Sequence, residues 1–202
     1  MLTPENDFTA MTHARTVELA KTGNNEAFDR LDSQHRNEIY GYLVGLVGNE
    51  AEAQDLTQET LAKAWKKLPT LRNVTQFRTW LYTIARNTAY DHLRQRRDRL
   101  KVAWQSWESL DADDLASQLP DPQEYMVEVE FLKLALAEIP EKYRDCLLLQ
   151  IVGGFSQREV AEIVGITKES VSTYISTARK LLREIYQRLG EEFNEEEKGE
   201  YQ

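Results

Sequence analysis

The amino-acid sequence predicts an all-α protein built from two small helical domains joined by an acidic linker. Apolar residues recur at spacings of three and four throughout the chain, and the strict alternation that marks a half-buried strand is absent. The periodicity fades over residues 98–122, where acidic residues mix with Pro and Ser, so the boundary between the domains belongs there. The 202 residues suffice for two cores of modest size.

Three helices with short loops are predicted in the first half of the chain. The first covers about residues 24–47, and the sequence GN ends it. Asn49 caps the second helix, Glu52 three residues later gives a variant of the capping box, and Pro69 stops this helix. The third helix starts near Thr75 and ends in RQRRDR. Together they predict one small bundle.

Four further helices are predicted in the second half. Residues 123–139 and 141–152 form the first two, which end at a proline and at a pair of glycines. Ser156 and Glu159 form an S-x-x-E capping box for a short helix, and the last helix covers about residues 167–189. The predicted division is an N-terminal extension (1–23), a first domain (24–98), the acidic linker (99–122), a second domain (123–189) and an acidic tail (190–202).

The stretch FSQREVAEIVGITKESVSTYISTARKLL, residues 155–182, predicts two short helices that turn sharply at Gly165 and share one apolar face. This is the pattern of a helix-turn-helix, whose second helix lies in the DNA major groove. An ordinary helical hairpin is the alternative. Short hydrogen-bonding side chains suit base edges and arginines suit phosphates. The candidate DNA-binding residues are Arg158, Lys168, Glu169, Ser170, Ser172, Thr173, Tyr174, Thr177 and Arg179.

Charge is distributed unevenly along the chain. The net charge of −9 decides little, because exposed charges act only over about 8–10 Å. Eight cations against two acids give residues 72–101 a local charge of +6, whereas residues 105–130 carry −8 and residues 190–202 carry −5. A basic third helix is therefore followed by an acidic segment, which is either solvated disorder or a shield for that helix.

The composition argues against several classes of protein. No run approaches the roughly 18 apolar residues of a membrane span, and the N-terminus carries acids where a secretory signal would be basic, so we expect a cytoplasmic protein without membrane insertion. Cys146 lies in the apolar run CLLLQIV, which predicts a buried thiol. His13, His35 and His92 are scattered, and no phosphate loop or nucleophile elbow occurs, so neither an enzyme nor a cofactor is expected.

Four segments follow one another over residues 24–189: NEAEAQDLTQETLAKAWKKL, FRTWLYTIARNTAYDHLRQRRDR, the acidic linker and the helix-turn-helix. In this order they resemble bacterial RNA polymerase sigma factors of the extracytoplasmic-function group. The resemblance implies a promoter-specificity subunit that binds core RNA polymerase, recognises and melts promoter DNA, and acts in a stress or envelope response. It also implies an anti-sigma factor as a partner. The alternatives are a stand-alone helix-turn-helix transcriptional regulator and a sigma-like protein that only sequesters another regulator.

The second helix carries an exposed polar ridge opposite Leu61 and Trp65, because its members follow three- and four-residue spacing. From the residues alone, a solvated face is the alternative. The match to the family's D-x-x-Q-E signature implies that the ridge docks on the coiled-coil clamp of the polymerase's large subunit. The ridge consists of Asp55, Gln58, Glu59 and Lys63.

The third helix interleaves aromatic and cationic residues, a pairing that stacks unpaired bases and holds phosphates. We expect Trp80 and Tyr82 to point partly or wholly outward. A surface helix stabilised by arginines near its C-terminus is the alternative. By resemblance, the loop over residues 71–75 captures a base flipped from the non-template strand. The candidate minus-ten residues are Arg72, Asn73, Thr75, Arg78, Trp80, Asn87, Asp91, Arg94 and Arg97.

The recognition helix departs from the family pattern. The stretch SVSTYISTAR stands where members usually carry a basic run, and only Arg179 is retained. We therefore expect weaker or more polymerase-dependent binding to the minus-thirty-five element. For the acidic linker, the resemblance adds the hypothesis that it threads through the polymerase's RNA exit path as a mimic of nucleic-acid charge.

Overall fold

A computed structural model gives the fold, describing the backbone of residues 4–105 and 124–199 and the side chains of residues 12–98 and 131–189. The described residues are helical and contain no strand, as the sequence predicted. The helices are α1 (Pro4–Lys21), α2 (Asn25–Val47), α3 (Glu50–Lys67), α4 (Phe77–Gln105), α5 (Glu124–Glu138), α6 (Glu141–Ile151), α7 (Gln157–Val164) and α8 (Lys168–Gly199).

Local caps fix most helix ends where the sequence placed them. The Asn49 side chain accepts the Glu52 N–H at 2.9 Å, and Ser156 and Glu159 form the complete reciprocal capping box. The box at Asn49 is only half formed, because the Glu52 carboxylate lies 3.0 Å from His92 instead. Two helices run further than predicted: α4 continues to Gln105 and α8 to Gly199.

The helices form two bundles, α1–α4 and α5–α8, that pack directly on each other. Helix α2 lies at the centre and contacts α1, α3 and α4 in its own bundle and α5 and α6 in the second, while α4 contacts α7. Buried residues of both bundles form one continuous core. Of the acidic linker predicted over residues 99–122, the first seven residues are the end of α4, and the rest lies outside the described part of the chain, as do the roles proposed for it.

Tyr82 corrects one expectation. It is fully buried rather than outward, because its ring packs 5.3 Å from that of Tyr42 and edge-on, at 4.7 Å, against Phe155 of the second bundle. Periodicity places Tyr82 off the inner face of its own bundle, and the second bundle covers it. Cys146 is fully buried as predicted, and burial raises the pKa of its thiol to about 12.

Helix α1 lies in the segment that the sequence predicts as an N-terminal extension. Its residues Val17 and Ala20 are buried against the first bundle, and the His13 ring lies 5.4 Å from that of His35. His35 is buried, and within the described residues neither ring nitrogen has a hydrogen-bond partner. Burial lowers the pKa of His35, the neighbouring His13 lowers it further, and the Glu38 carboxylate opposes the shift.

This lowered pKa predicts an acid-sensitive fold. His35 binds a proton more readily in the unfolded chain than in the folded chain. The stability that neutral, buried His35 contributes is therefore full above about pH 6.5 and is lost as the pH falls below it. Between about pH 7.5 and pH 5.5, the His35→Leu variant should lose less stability than the wild type. Urea unfolding followed by circular dichroism measures the free energy of unfolding of both proteins at the two pH values. Equal losses in the variant and the wild type would contradict this role for His35.

Candidate functional site

The polar ridge on α3 lies on the surface of the first bundle. Asp55, Gln58 and Glu59 are exposed, as the spacing predicted. Lys63 is half-buried: its Nζ lies 2.8 Å from a Glu59 carboxylate oxygen and donates to Thr88 Oγ1 at 3.1 Å. Lys63 therefore fixes the ridge to α4 as well as extending it.

A groove of about 480 Å³ runs beside this ridge between α2 and α3. The rings of Phe28 and Trp65 lie 4.8 Å apart in it, and Asp32, Arg36 and Gln58 line its polar side. Of these residues, only Gln58 was predicted from the sequence to belong to the polymerase-binding surface. Phe28 and Trp65 carry the helical spacing of core residues, and only the packing leaves their edges accessible.

The loop between α3 and α4 holds exposed polar side chains in a defined turn. The Asn73 side-chain oxygen accepts hydrogen bonds from the Thr75 N–H at 3.0 Å and from Thr75 Oγ1 at 2.8 Å. Arg72, Asn73 and Thr75 are all exposed. From α1, Lys21 Nζ donates to the Leu71 carbonyl at 2.6 Å, a support across 50 residues that no sequence motif marks.

Some of the candidate minus-ten residues lie together on the exposed face of α4, whereas others contact the rest of the protein. Asn87, Asp91 and Arg94 are exposed, and their spacing places them along one stripe of the helix. Arg78 instead pairs with Glu38 at 2.9 Å and stacks over a ring of the second bundle, and Trp80 is half-buried. The exposed Arg97 side chain lies 4.0 Å from the Glu141 carboxylate across the bundles.

Helices α7 and α8 form the predicted helix-turn-helix. Gly165 ends α7 with φ of 78°, a left-handed conformation that favours glycine, and its N–H returns to the Ala161 carbonyl. Val171 and Ile175 of α8 are buried against α7. The sequence therefore predicted both the turn and the inner face correctly. Arg158, Lys168, Glu169, Ser172, Thr173 and Arg179 are exposed, whereas Ser170 and Thr177 are partly buried.

Tyr174 is less exposed than predicted. Its ring packs edge-on against Tyr143 of α6 at 5.2 Å, and the Lys142 ammonium lies 5.5 Å from its centre. Ser170 also has a local role, because its hydroxyl lies 3.0 Å from the Thr167 hydroxyl at the start of α8, and its backbone N–H donates to the same Thr167 oxygen. Both side chains therefore help to position the recognition helix.

A concave surface of about 470 Å³ lies along α8 and extends the candidate set. Ser172 and Arg179 line it together with Gln157 and Ser176, and Arg179 donates to the Gln150 side-chain oxygen at 2.9 Å. Sequence reasoning missed Gln150, Gln157 and Ser176. Gln150 belongs to α6, outside the helix-turn-helix, so no local pattern connects it with Arg179.

Within the described residues, no group of three or more His, Cys, Asp or Glu side chains is arranged to hold a metal ion. No helix there combines the length and the apolar character required to cross a membrane. The fold and its exposed surfaces thus define a two-domain, all-α protein with a helix-turn-helix.

Comparisons with known proteins agree with this class. Sigma-70 region 2 matches residues 31–99, and sigma-70 region 4 matches residues 132–182. The RNA polymerase sigma-H factor of Pseudomonas aeruginosa is 31% identical, over 94% of this chain and 98% of its own length. The ECF sigma factor BldN of Streptomyces coelicolor is 32% identical, over 78% of this chain and 59% of its own length.

A solved structure adds a fold comparison. The sigma factor RpoE of Bartonella quintana, in complex with the anti-sigma factor NepR, has a TM-score of 0.64 and 26% identity, covering 79% of this chain and 96% of that one. The chain belongs to the extracytoplasmic-function group of RNA polymerase sigma factors. It is therefore a promoter-specificity subunit of RNA polymerase, and nothing in the comparisons supports a stand-alone regulator.

Proposed function

We propose that the ridge on α3 is the surface that binds the coiled-coil clamp of the polymerase's large subunit. Three of its members, Asp55, Gln58 and Glu59, are exposed on a rigid helix, and Lys63 holds the ridge to α4. The apolar edges of Phe28 and Trp65 lie beside it. An interface of this kind, with an aromatic centre and a charged rim, suits a helical partner.

We further propose that α4 and the loop before it recognise the minus-ten element and assist melting. The observation that carries this assignment is the exposed stripe of Asn87, Asp91 and Arg94 on the helix that directly follows the polar loop. A base extruded from duplex DNA costs a few kcal/mol, so a loop pocket that captures it selects sequence and promotes melting together. Arg72, Asn73 and Thr75 would line that pocket.

The test is run-off transcription with core RNA polymerase on a promoter library randomised at the minus-ten element. The Asn87→Ala/Asp91→Ala variant should relax the preferred motif, because each lost base contact removes about 1–3 kcal/mol of discrimination. The control is Glu18→Ala/Glu26→Ala, which removes two exposed carboxylates from α1 and α2, outside this stripe, and should leave the motif unchanged. An unchanged motif in the Asn87→Ala/Asp91→Ala variant would contradict the assignment.

The second bundle is proposed to read the minus-thirty-five element through the exposed face of α8. Lys168, Glu169, Ser172 and Thr173 occupy the N-terminal turns that face base edges in this motif, and Arg158 and Arg179 flank them. Gln157 and Ser176 join this set because they line the same concave surface. Six cations against four acids leave residues 156–189 with a net charge of only +2, so binding should depend on the polymerase.

We also propose a domain division, an inhibitory partner, a location and a physiological role. The first domain covers residues 24–98 and the second residues 123–189, with the acidic linker between them. A reversible inhibitor is proposed as a partner because the similar Bartonella factor was solved with its anti-sigma factor. A cytoplasmic location follows from the polymerase as partner, and a non-catalytic role in a stress or envelope response from the group.

A further inference from the structure

One carboxylate joins the two bundles. Asp145 of α6 is fully buried, and its Oδ1 accepts a hydrogen bond from the Tyr42 hydroxyl at 2.7 Å. Its Oδ2 accepts from Arg86 Nε at 2.6 Å and from the Tyr90 hydroxyl at 3.2 Å. All three donors belong to the first bundle. A buried carboxylate requires such partners, so Asp145 is stable in its place only while the bundles are closed on each other.

Two further contacts join the bundles. Phe155 inserts between the Tyr82 ring, at 4.7 Å, and the Arg78 guanidinium, at 4.5 Å from its ring centre. Nearby, α2 and α6 approach so closely that a Cβ added at Gly45 would lie 2.7 Å from a methyl carbon of Leu148. The contact therefore has a packed centre and is more than a set of surface ion pairs.

The closed arrangement brings the two DNA-reading helices too close together for a promoter. Helix α4 packs on α7, and α7 packs on α8, so about two helix-packing distances, roughly 20 Å, separate α4 from the start of α8. The minus-ten and minus-thirty-five elements are about 25 base pairs apart, or roughly 85 Å of duplex at 3.4 Å per base pair. One closed molecule cannot contact both elements.

We propose that this chain, without any partner, folds into an autoinhibited state in which Asp145 latches the second bundle onto α2 and α4. Promoter recognition requires the latch to open. The proposal rests on the two promoter surfaces proposed above. Opening hydrates Asp145 and Arg86 separately and releases Arg78, one of the candidate minus-ten residues, from Phe155.

The latch makes the apparent affinity of the protein for polymerase and promoter DNA depend on the fraction of molecules that is open. When only a fraction of the molecules is open, the apparent dissociation constant is the intrinsic value divided by that fraction. Weakening the latch should therefore tighten assembly of the initiation complex, even though a native contact is lost. A purely structural Asp145 would have the opposite effect.

The first test replaces Asp145 by Asn, which keeps its size and removes the charge. Small-angle X-ray scattering of the free protein should give a radius of gyration several ångströms larger than in the wild type. The sigma concentration that gives half-maximal run-off transcription should fall at least about fivefold. Tyr42→Phe should shift both quantities in the same direction without altering α6. Circular dichroism verifies that each variant is folded.

Two matched controls accompany these variants. Glu138→Gln removes an ion pair with Arg188 inside the second bundle and should change neither quantity. Gly45→Ala and Gly41→Ala make the same change one turn apart in α2. Only the first places its Cβ within 2.7 Å of Leu148, while the second meets Val152 at 3.6 Å, an ordinary contact. Gly45→Ala, which forces the buried Leu148 side chain to move, should open the protein more than Gly41→Ala does.

Several outcomes would overturn the latch. One is an extended wild type in scattering, and another is an Asp145→Asn variant as compact as the wild type. A third is a compact Asp145→Asn variant that has lost transcription, since Asp145 would then act within the promoter complex. Scattering needs neither polymerase nor DNA. Failure of the wild type to initiate at any promoter would therefore contradict the proposed function and leave the latch to be decided separately.

Discussion

Replacing Asp55 and Glu59 together by alanine should weaken binding to core RNA polymerase by about 2–4 kcal/mol, roughly 30- to 1,000-fold. Both carboxylates are exposed on one face of α3 beside the groove of Phe28 and Trp65. An interface that covers them would desolvate them against charged partners, and truncating such groups is costly. Fluorescence titration of labelled protein with core enzyme measures the change.

A charge-matched control separates this effect from a general loss of acidic residues. The Glu18→Ala/Glu26→Ala variant removes two exposed carboxylates from α1 and from the start of α2, away from the ridge. Its affinity for core enzyme should stay within about twofold of the wild type, because distant surface charges are screened. An Asp55→Ala/Glu59→Ala variant that binds equally well would remove the ridge from the polymerase interface.

The Phe77→Ala variant should lose about 3–5 kcal/mol of stability, the usual result of emptying a buried aromatic site. Phe77 is 2% exposed at the first residue of α4, and its ring lies 5.8 Å from that of His13, 5.6 Å from that of His35 and 5.8 Å from that of Trp80. The lost side chain therefore loosens the junction of α1, α2 and α4 directly below the polar loop.

Urea unfolding followed by circular dichroism gives the free energy of unfolding for this variant. Gln76→Ala is the control, because Gln76 precedes Phe77 and is exposed, and its loss should stay below about 0.5 kcal/mol. A loss below about 1 kcal/mol for Phe77→Ala would mean that the junction collapses to fill the site.

Helix ends were predictable because their causes are local. The Asn49 cap, the capping box of Ser156 with Glu159 and the left-handed Gly165 each involve residues within a few positions of each other. Helix α1 was not predicted, since most of the stability of a helix in a protein comes from tertiary packing, and its packing partners lie in α2 and in the turns on either side of the polar loop.

The sequence predicted those site residues that face solvent on a single bundle, but not those that the other bundle covers. Spacing identified the ridge and the stripe of Asn87, Asp91 and Arg94. It could not reveal that Tyr82 and Arg78 lie under the second bundle, because periodicity finds the apolar face of a helix and leaves its other neighbours undefined. The bond between Tyr42 and Asp145 joins residues 103 positions apart and has no local signature.

The buried thiol of Cys146 has a practical consequence for measuring interdomain motion. Maleimide dyes react with an exposed thiolate, whereas Cys146 is fully buried and this burial raises the pKa of its thiol, so it reacts poorly near neutral pH. Since the chain has no other cysteine, thiols introduced on the surface of each bundle will carry all the label in an otherwise native sequence. Single-molecule energy transfer can therefore follow the distance between the bundles without a cysteine-free background.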